Sequence, residues 1–129
     1  MNRALVQKVL RTIKQRTNLL VIDDVLLGTT RLEARAPLHG VTLNVPGIAV
    51  YLSGYAIERV NGNDEDRDPE FEASTDNESG TVWEVADRLL GLNPADTDAL
   101  FGFPSSRAVL AALEQLAAGA DQVNWSAIR

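Results

Sequence analysis

Apolar residues recur at helical spacing in several separate stretches of this chain. Ala4, Leu5, Val9, Leu10 and Ile13 lie one turn apart, so Asn2 to Arg16 reads as an amphipathic helix. Between Thr81 and Gly119 the pattern predicts three helices in succession. Val82, Val85, Ala86, Leu89 and Leu90 share one face and Gly91 stops them. Asn93 caps, and Pro94 begins, a short helix carrying Ala99, Leu100 and Phe101. Pro104 and Ser105 open a third, with Val109, Leu110, Leu113 and Leu116 on one face and Gly119 past its end.

The middle of the chain is less regular. Leu19-Leu20-Val21-Ile22 and Val25-Leu26-Leu27 flank the pair Asp23-Asp24 and read as an extended segment or short strand. Leu32 to Thr42, with Pro37 and Gly40, reads as a long connection, with a short strand near Val41 to Val45. Asn44 then caps a second helix expected from Pro46 to Arg59. Ile48, Tyr51, Leu52 and Tyr55 share its face, and Gly47, Ala49, Ser53, Gly54 and Ala56 are small enough to let another backbone approach. This should be the central helix, with close packing offsetting the cost of about 1 kcal/mol for Gly54. The run from residue 62 to Gly80 reads as a mobile acidic loop, pinned by Phe71. Val123 and Trp125 suggest an extended tail that lays an indole on the body, with a final helical turn as the alternative. The expected architecture is mostly α: one domain over residues 1–129, a bundle of about five helices with a short extended segment after the first.

The order of these segments resembles a group of small uncharacterised proteins of bacteria and their phages. Their pattern joins a Cys-Gly-Thr-x-x-Cys-x-Ala-Gly-Trp helix to a Leu-Gly-Leu…Leu-Phe helical pair and a closing Val-x-Trp. Here the matching residues are Pro46 to Tyr55, Leu90-Gly91-Leu92, Leu100-Phe101 and Val123-Asn124-Trp125. Pro46 and Tyr51 stand in place of the two cysteines, and Tyr55 in place of the tryptophan. The resemblance implies a shared fold and no particular activity.

Composition narrows the functions. At 129 residues and 45% hydrophobic, the chain can bury a core, and no apolar run approaches the roughly 20 residues of a membrane span. The charged N-terminus lacks the apolar centre of a secretory signal, so a cytoplasmic location is expected. With no cysteine, thiolate metal sites and cysteine nucleophiles are closed; with His39 alone, so are schemes that need two imidazoles. A net charge of −6 and scattered bases argue against direct nucleic-acid binding. Arg3, Lys8, Arg11, Lys14 and Arg16 read as the solvated face of the first helix.

Candidate chemistry is sparse. Asp23 and Asp24 would point to opposite faces of a strand, so a turn explains them as well as an acid–base pair does. His39 lies in a connection, with no serine in a nucleophile elbow. Asn63 to Asp68 carries oxygen ligands at alternate positions but lacks the central glycine and closing glutamate of a calcium loop. No glycine loop suited to phosphate is present. The expected protein is therefore a non-enzymatic interaction module, without metal or cofactor, that acts on a protein partner such as a host protein of a phage. Asp64, Glu65, Asp66, Asp68, Glu70 and Phe71 would make the contact. A small-ligand pocket between the second helix and the C-terminal helices, lined by Tyr51, Tyr55 and Trp83, is the alternative. An acidic mimic of nucleic acid is the third reading. Since an apolar stripe serves a core or a dimer seam equally well, a homodimer stays open.

Overall fold

Val45–Leu52 (α2) is apolar on every side, and this decides the architecture. Val45, Pro46, Gly47, Ile48, Ala49 and Val50 are all buried. A helix without a polar face has to be enclosed rather than laid on a surface. The computed structural model describes residues 1–16, 18–20, 25–60, 70–102 and 105–128, and within these it encloses α2 with helices and a sheet.

The helices are Arg3–Gln15 (α1), α2, Val82–Leu90 (α3), Pro94–Phe101 (α4) and Ser106–Ala117 (α5). Each opens on a side-chain cap: Asn2, Asn44, Thr81, Asn93 and Ser105 each accept a backbone N–H of the first turn. Gly91 ends α3 in the left-handed conformation, as a C-terminal glycine should. α1 lies along α5, burying Leu5, Val6, Val9 and Ile13 against Val109, Ala112, Leu113 and Leu116. Arg3 and Gln7 reach the carbonyls of Gly119 and Ala117, and so satisfy acceptors at the end of α5.

The expectation of a mostly helical bundle is overturned, because among the described residues six strands in two sheets accompany the five helices. Leu26–Leu27 (β1) pairs antiparallel with Thr42–Leu43 (β3). Arg31–Leu32 (β2), Ala56–Arg59 (β4), Phe71–Ser74 (β5) and Ser79–Thr81 (β6) form a four-stranded antiparallel sheet in the order β2-β4-β5-β6. The fold is mixed α/β.

Two segments account for the difference. The helix expected to reach Arg59 stops at Leu52, because Gly54 adopts a φ of +88° and the chain emerges extended. A Cβ at Gly54 would meet nothing within 4 Å, so this glycine terminates a helix and does not serve a close contact. The packed glycine is Gly47, where a Cβ would come within 2.7 Å of the Val25 carbonyl oxygen. The second segment is the acidic run. Its described part, residues 70–80, contributes a hairpin: Phe71 and Ala73 face inward, and Thr75 closes the turn by bonding Glu78 through its backbone and accepting the Asn77 and Glu78 amides on its hydroxyl.

The register gives the sheet a dry face and a wet one. Leu32, Ile57, Ala73 and Gly80 stand opposite one another on the inner side, and the first three are buried, with β4 against α2 and β5 against α3. Arg31, Glu58, Glu72 and Thr81 make the corresponding outer row.

The tail is held by a buried carboxylate. Asp96, 2% exposed, accepts from the Asn93 amide and the Val123 backbone, both at 2.9 Å, and from the Trp125 indole at 3.1 Å. Trp125–Ala127 then forms a 3₁₀ turn. Charge-assisted bonds of this kind, at a helix N-terminus, offset the loss of hydration.

Two substitutions test this account. Gly47→Ala should lower stability by about 1–3 kcal/mol in urea denaturation, the overpacking outweighing alanine's better helix propensity; an unchanged or raised midpoint would contradict the packing at Val25. Asp96→Ala should cost about 3 kcal/mol, since it leaves buried donors unpaired, and should expose the Trp125 indole to exchange with solvent.

Candidate functional site

Trp83 is where the surface departs from an ordinary polar exterior. It sits at the second position of α3, one residue past the inward stripe of Val82, Val85, Ala86 and Leu90, and so points outward. Its ring lies 5.4 Å from that of Phe101 on α4, tilted by 55°, and the residue is 38% exposed. Tilted aromatic pairs at this separation are favourable, so the two rings form a firm corner.

Two grooves meet at that indole. One, of about 380 Å³, runs between α3 and α4 past Glu84, Asp87, Thr97, Asp98, Phe101 and Gly102. Its walls are tied where the Thr97 hydroxyl donates to Asp87 at 3.1 Å. The other, of about 270 Å³, lies over the hairpin, lined by Val60, Glu70, Phe71, Glu72 and Thr81. Val60 is 50% exposed beside it. Among the described residues, five carboxylates line the two grooves and no lysine or arginine does.

Three of the described bases are engaged elsewhere. Arg31 bonds Glu33 and, at 2.6 Å, Glu58 on the outer sheet face. Glu58 also stands directly opposite Glu72, an unfavourable pairing of like charges. By binding Glu58 on its far side, Arg31 leaves Glu72 facing the groove without an ion pair among the described residues. Arg88 donates to both Glu78 oxygens, at 3.0 and 3.3 Å, and to the Tyr55 hydroxyl at 3.1 Å, fastening α3 to the hairpin turn. Lys14 pairs with Glu114 at 3.0 Å, on the α1–α5 side of the molecule.

The residues singled out in the sequence are placed unevenly. Glu70 and Phe71 line the hairpin groove, Phe71 from a buried position within β5. Asp64, Glu65, Asp66 and Asp68, and with them the Asn63 to Asp68 cation loop, lie outside the described residues, as do Asp23 and Asp24. Tyr51, Tyr55 and Trp83 do not come together at these grooves. The Tyr51 hydroxyl donates to the Ala36 carbonyl, and buried Tyr55 accepts from Arg88, so both phenols brace the fold while Trp83 alone lines the grooves.

His39 is exposed. A wider depression of about 550 Å³ near it is lined by residues including Gln15, Arg16, Asn18 and Leu38, and among the described residues Arg16 is its one charged side chain. Among the described residues no group of three His, Asp or Glu could hold a metal ion, and none of the helices is long and apolar enough to cross a membrane. Thr97, Asp98 and Phe101 were not anticipated as site residues. The available signal was Trp83 itself, off the apolar stripe with Glu84 and Asp87 beside it.

Comparison with family models, curated proteins and solved structures finds no match to this chain.

The Arg31–Glu33 pair has a measurable signature. The hydrogen bond from Arg31 holds the Glu33 carboxyl below the usual carboxylate range, with the nearby positive charge acting in the same direction, and Arg31 is raised in turn. A carboxyl lowered in the folded state favours folding above its unfolded pKa, and that contribution disappears as pH falls through the folded value. An NMR titration should therefore place the Glu33 midpoint below that of an unstructured glutamate, and Arg31→Gln should return it to the ordinary range.

Proposed function

We propose that this chain is a non-enzymatic, cytoplasmic interaction module of a bacterium or its phage, and that it seizes a partner protein through the surface centred on Trp83. One observation carries the reading: a large aromatic side chain stands 38% exposed at the junction of two grooves, in a chain whose other large apolar residues are mostly buried. Exposed tryptophan is over-represented at the energetic centres of protein interfaces, because one side chain supplies large apolar area with little rotamer entropy to lose. The companion features agree. Phe101 fixes the indole from behind, Val60 extends the apolar surface, and carboxylates form the rim.

A protein partner fits this surface better than a small metabolite does. Small-ligand sites are concave and predominantly apolar, with few polar groups converging on one point. Here Glu84, Asp87 and Asp98 line a single groove and the apolar element is one aromatic corner. A nucleic-acid mimic would need charge alone and has no use for an indole at its centre. The resemblance of the Pro46 to Tyr55, Leu90 to Leu92 and Val123 to Trp125 segments to small bacterial and phage proteins supports the proposed origin.

Trp83→Ala is the test. The wild-type chain, immobilised and passed over lysate of a bacterial host, should retain a partner in near-equal amount. The variant, shown to be folded by circular dichroism, should retain at most about a tenth as much, as expected for loss of a central aromatic residue. Equal retention by both would remove the Trp83 surface from the interface.

A further inference from the structure

We infer that the groove between α3 and α4 receives a lysine or arginine side chain of the partner, seated on the Trp83 indole and enclosed by Glu84, Asp87 and Asp98. The inference rests on the interaction reading above and names the chemistry of the segment bound. Three observations lead to it.

The first is charge complementarity. Among the described residues the groove carries three carboxylates and no base, and Glu72 continues the acidic surface over the hairpin. Desolvating these groups against an apolar or acidic partner would leave charge uncompensated, whereas a cation removes that penalty. The second is the aromatic floor. A cation within about 6 Å of an indole centroid is attracted by the negative face of the ring, and tryptophan is the strongest such platform among the side chains. Trp83 is braced at 55° against Phe101, so one ring can lie under the cation while the other bounds its aliphatic stem. The third is rigidity. The Thr97–Asp87 hydrogen bond joins the two helices that form the walls, and both walls start from side-chain caps, at Thr81 and Asn93. A groove already formed loses little entropy on binding.

The partner segment is accordingly a basic one, with at least one Lys or Arg at its centre. A further base would face Glu72 where the surface continues past Thr81.

Hexa-arginine, with the neutral isostere hexa-citrulline as control, tests the chemistry on the intact chain by ¹H–¹⁵N NMR. Hexa-arginine should shift the Trp83 indole signal and the amides of residues 83–87 and 97–102, leave the Trp125 indole in place, and bind more weakly as salt rises. Trp83→Ala should weaken binding about five- to thirty-fold. Should that variant fold poorly, the Glu84→Gln, Asp98→Asn double variant keeps the indole and should weaken binding to a similar degree. The inference is overturned if hexa-citrulline binds as well, if the shifts centre on other acidic surface, such as Glu33 and Glu58, or if neither variant changes the affinity. An overturned inference combined with lysate capture that still depends on Trp83 would leave the interaction reading standing with a different ligand. Loss of both dependences would end both.

Discussion

An eight-residue helix with no polar side has to be shielded from water on all sides, and this constraint governs the molecule. One amphipathic helix could cover only part of α2. The chain therefore places α1, α3 and α4 against it, and brings β3 and β4 into contact with it as well. Gly47 permits the closest approach, since the Val25 carbonyl oxygen occupies the space a larger residue would need. Only two polar residues are buried among those described, and each has its partners. Asn44 caps α2, and Asp96 receives the tail. The apolar interior is thus continuous from the α1–α5 seam to the inner row of the four-stranded sheet.

The helices were legible because their determinants are local. Thr81 before Val82, Asn93 before Pro94, Ser105 before the third helix and Gly91 after Leu90 specify ends by chemistry within a few residues. The strands were not, since they run only two to four residues and are secured by partners far along the chain. Leu32 is a strand residue because Ile57 lies opposite it, and Ile57 because Ala73 does. At Tyr51 to Tyr55 the apolar spacing continued the helical pattern past its true end, and Gly54 had two meanings, packing glycine or terminator. In the acidic run, the abundance of charge obscured the alternation of Phe71 and Ala73, which is the mark of a half-buried strand.

The surface chemistry follows from how the bases are used. Arg31 spans the outer sheet face, Arg88 fastens α3 to the hairpin, and Lys14 belongs to the α1–α5 seam. Glu84, Asp87 and Asp98 beside Trp83 give that side its acidic character. The sequence held part of this in view: Trp83 lies off the α3 stripe next to Glu84. That Asp98 and Phe101 would complete the corner depended on how α4 folds back, for which Leu92 and Asn93 carry no signal.

Thr81 belongs to two elements at once, as the last residue of β6 and the cap of α3. No linker separates the hairpin from the helix, so there is no slack to absorb a change in length. One residue inserted after Thr81 would turn the indole by about 100° around the helix axis and carry it off its aromatic neighbour. The direction in which Trp83 faces is therefore set by strand register, and this junction should be among the positions least tolerant of insertion or deletion as the sequence evolves.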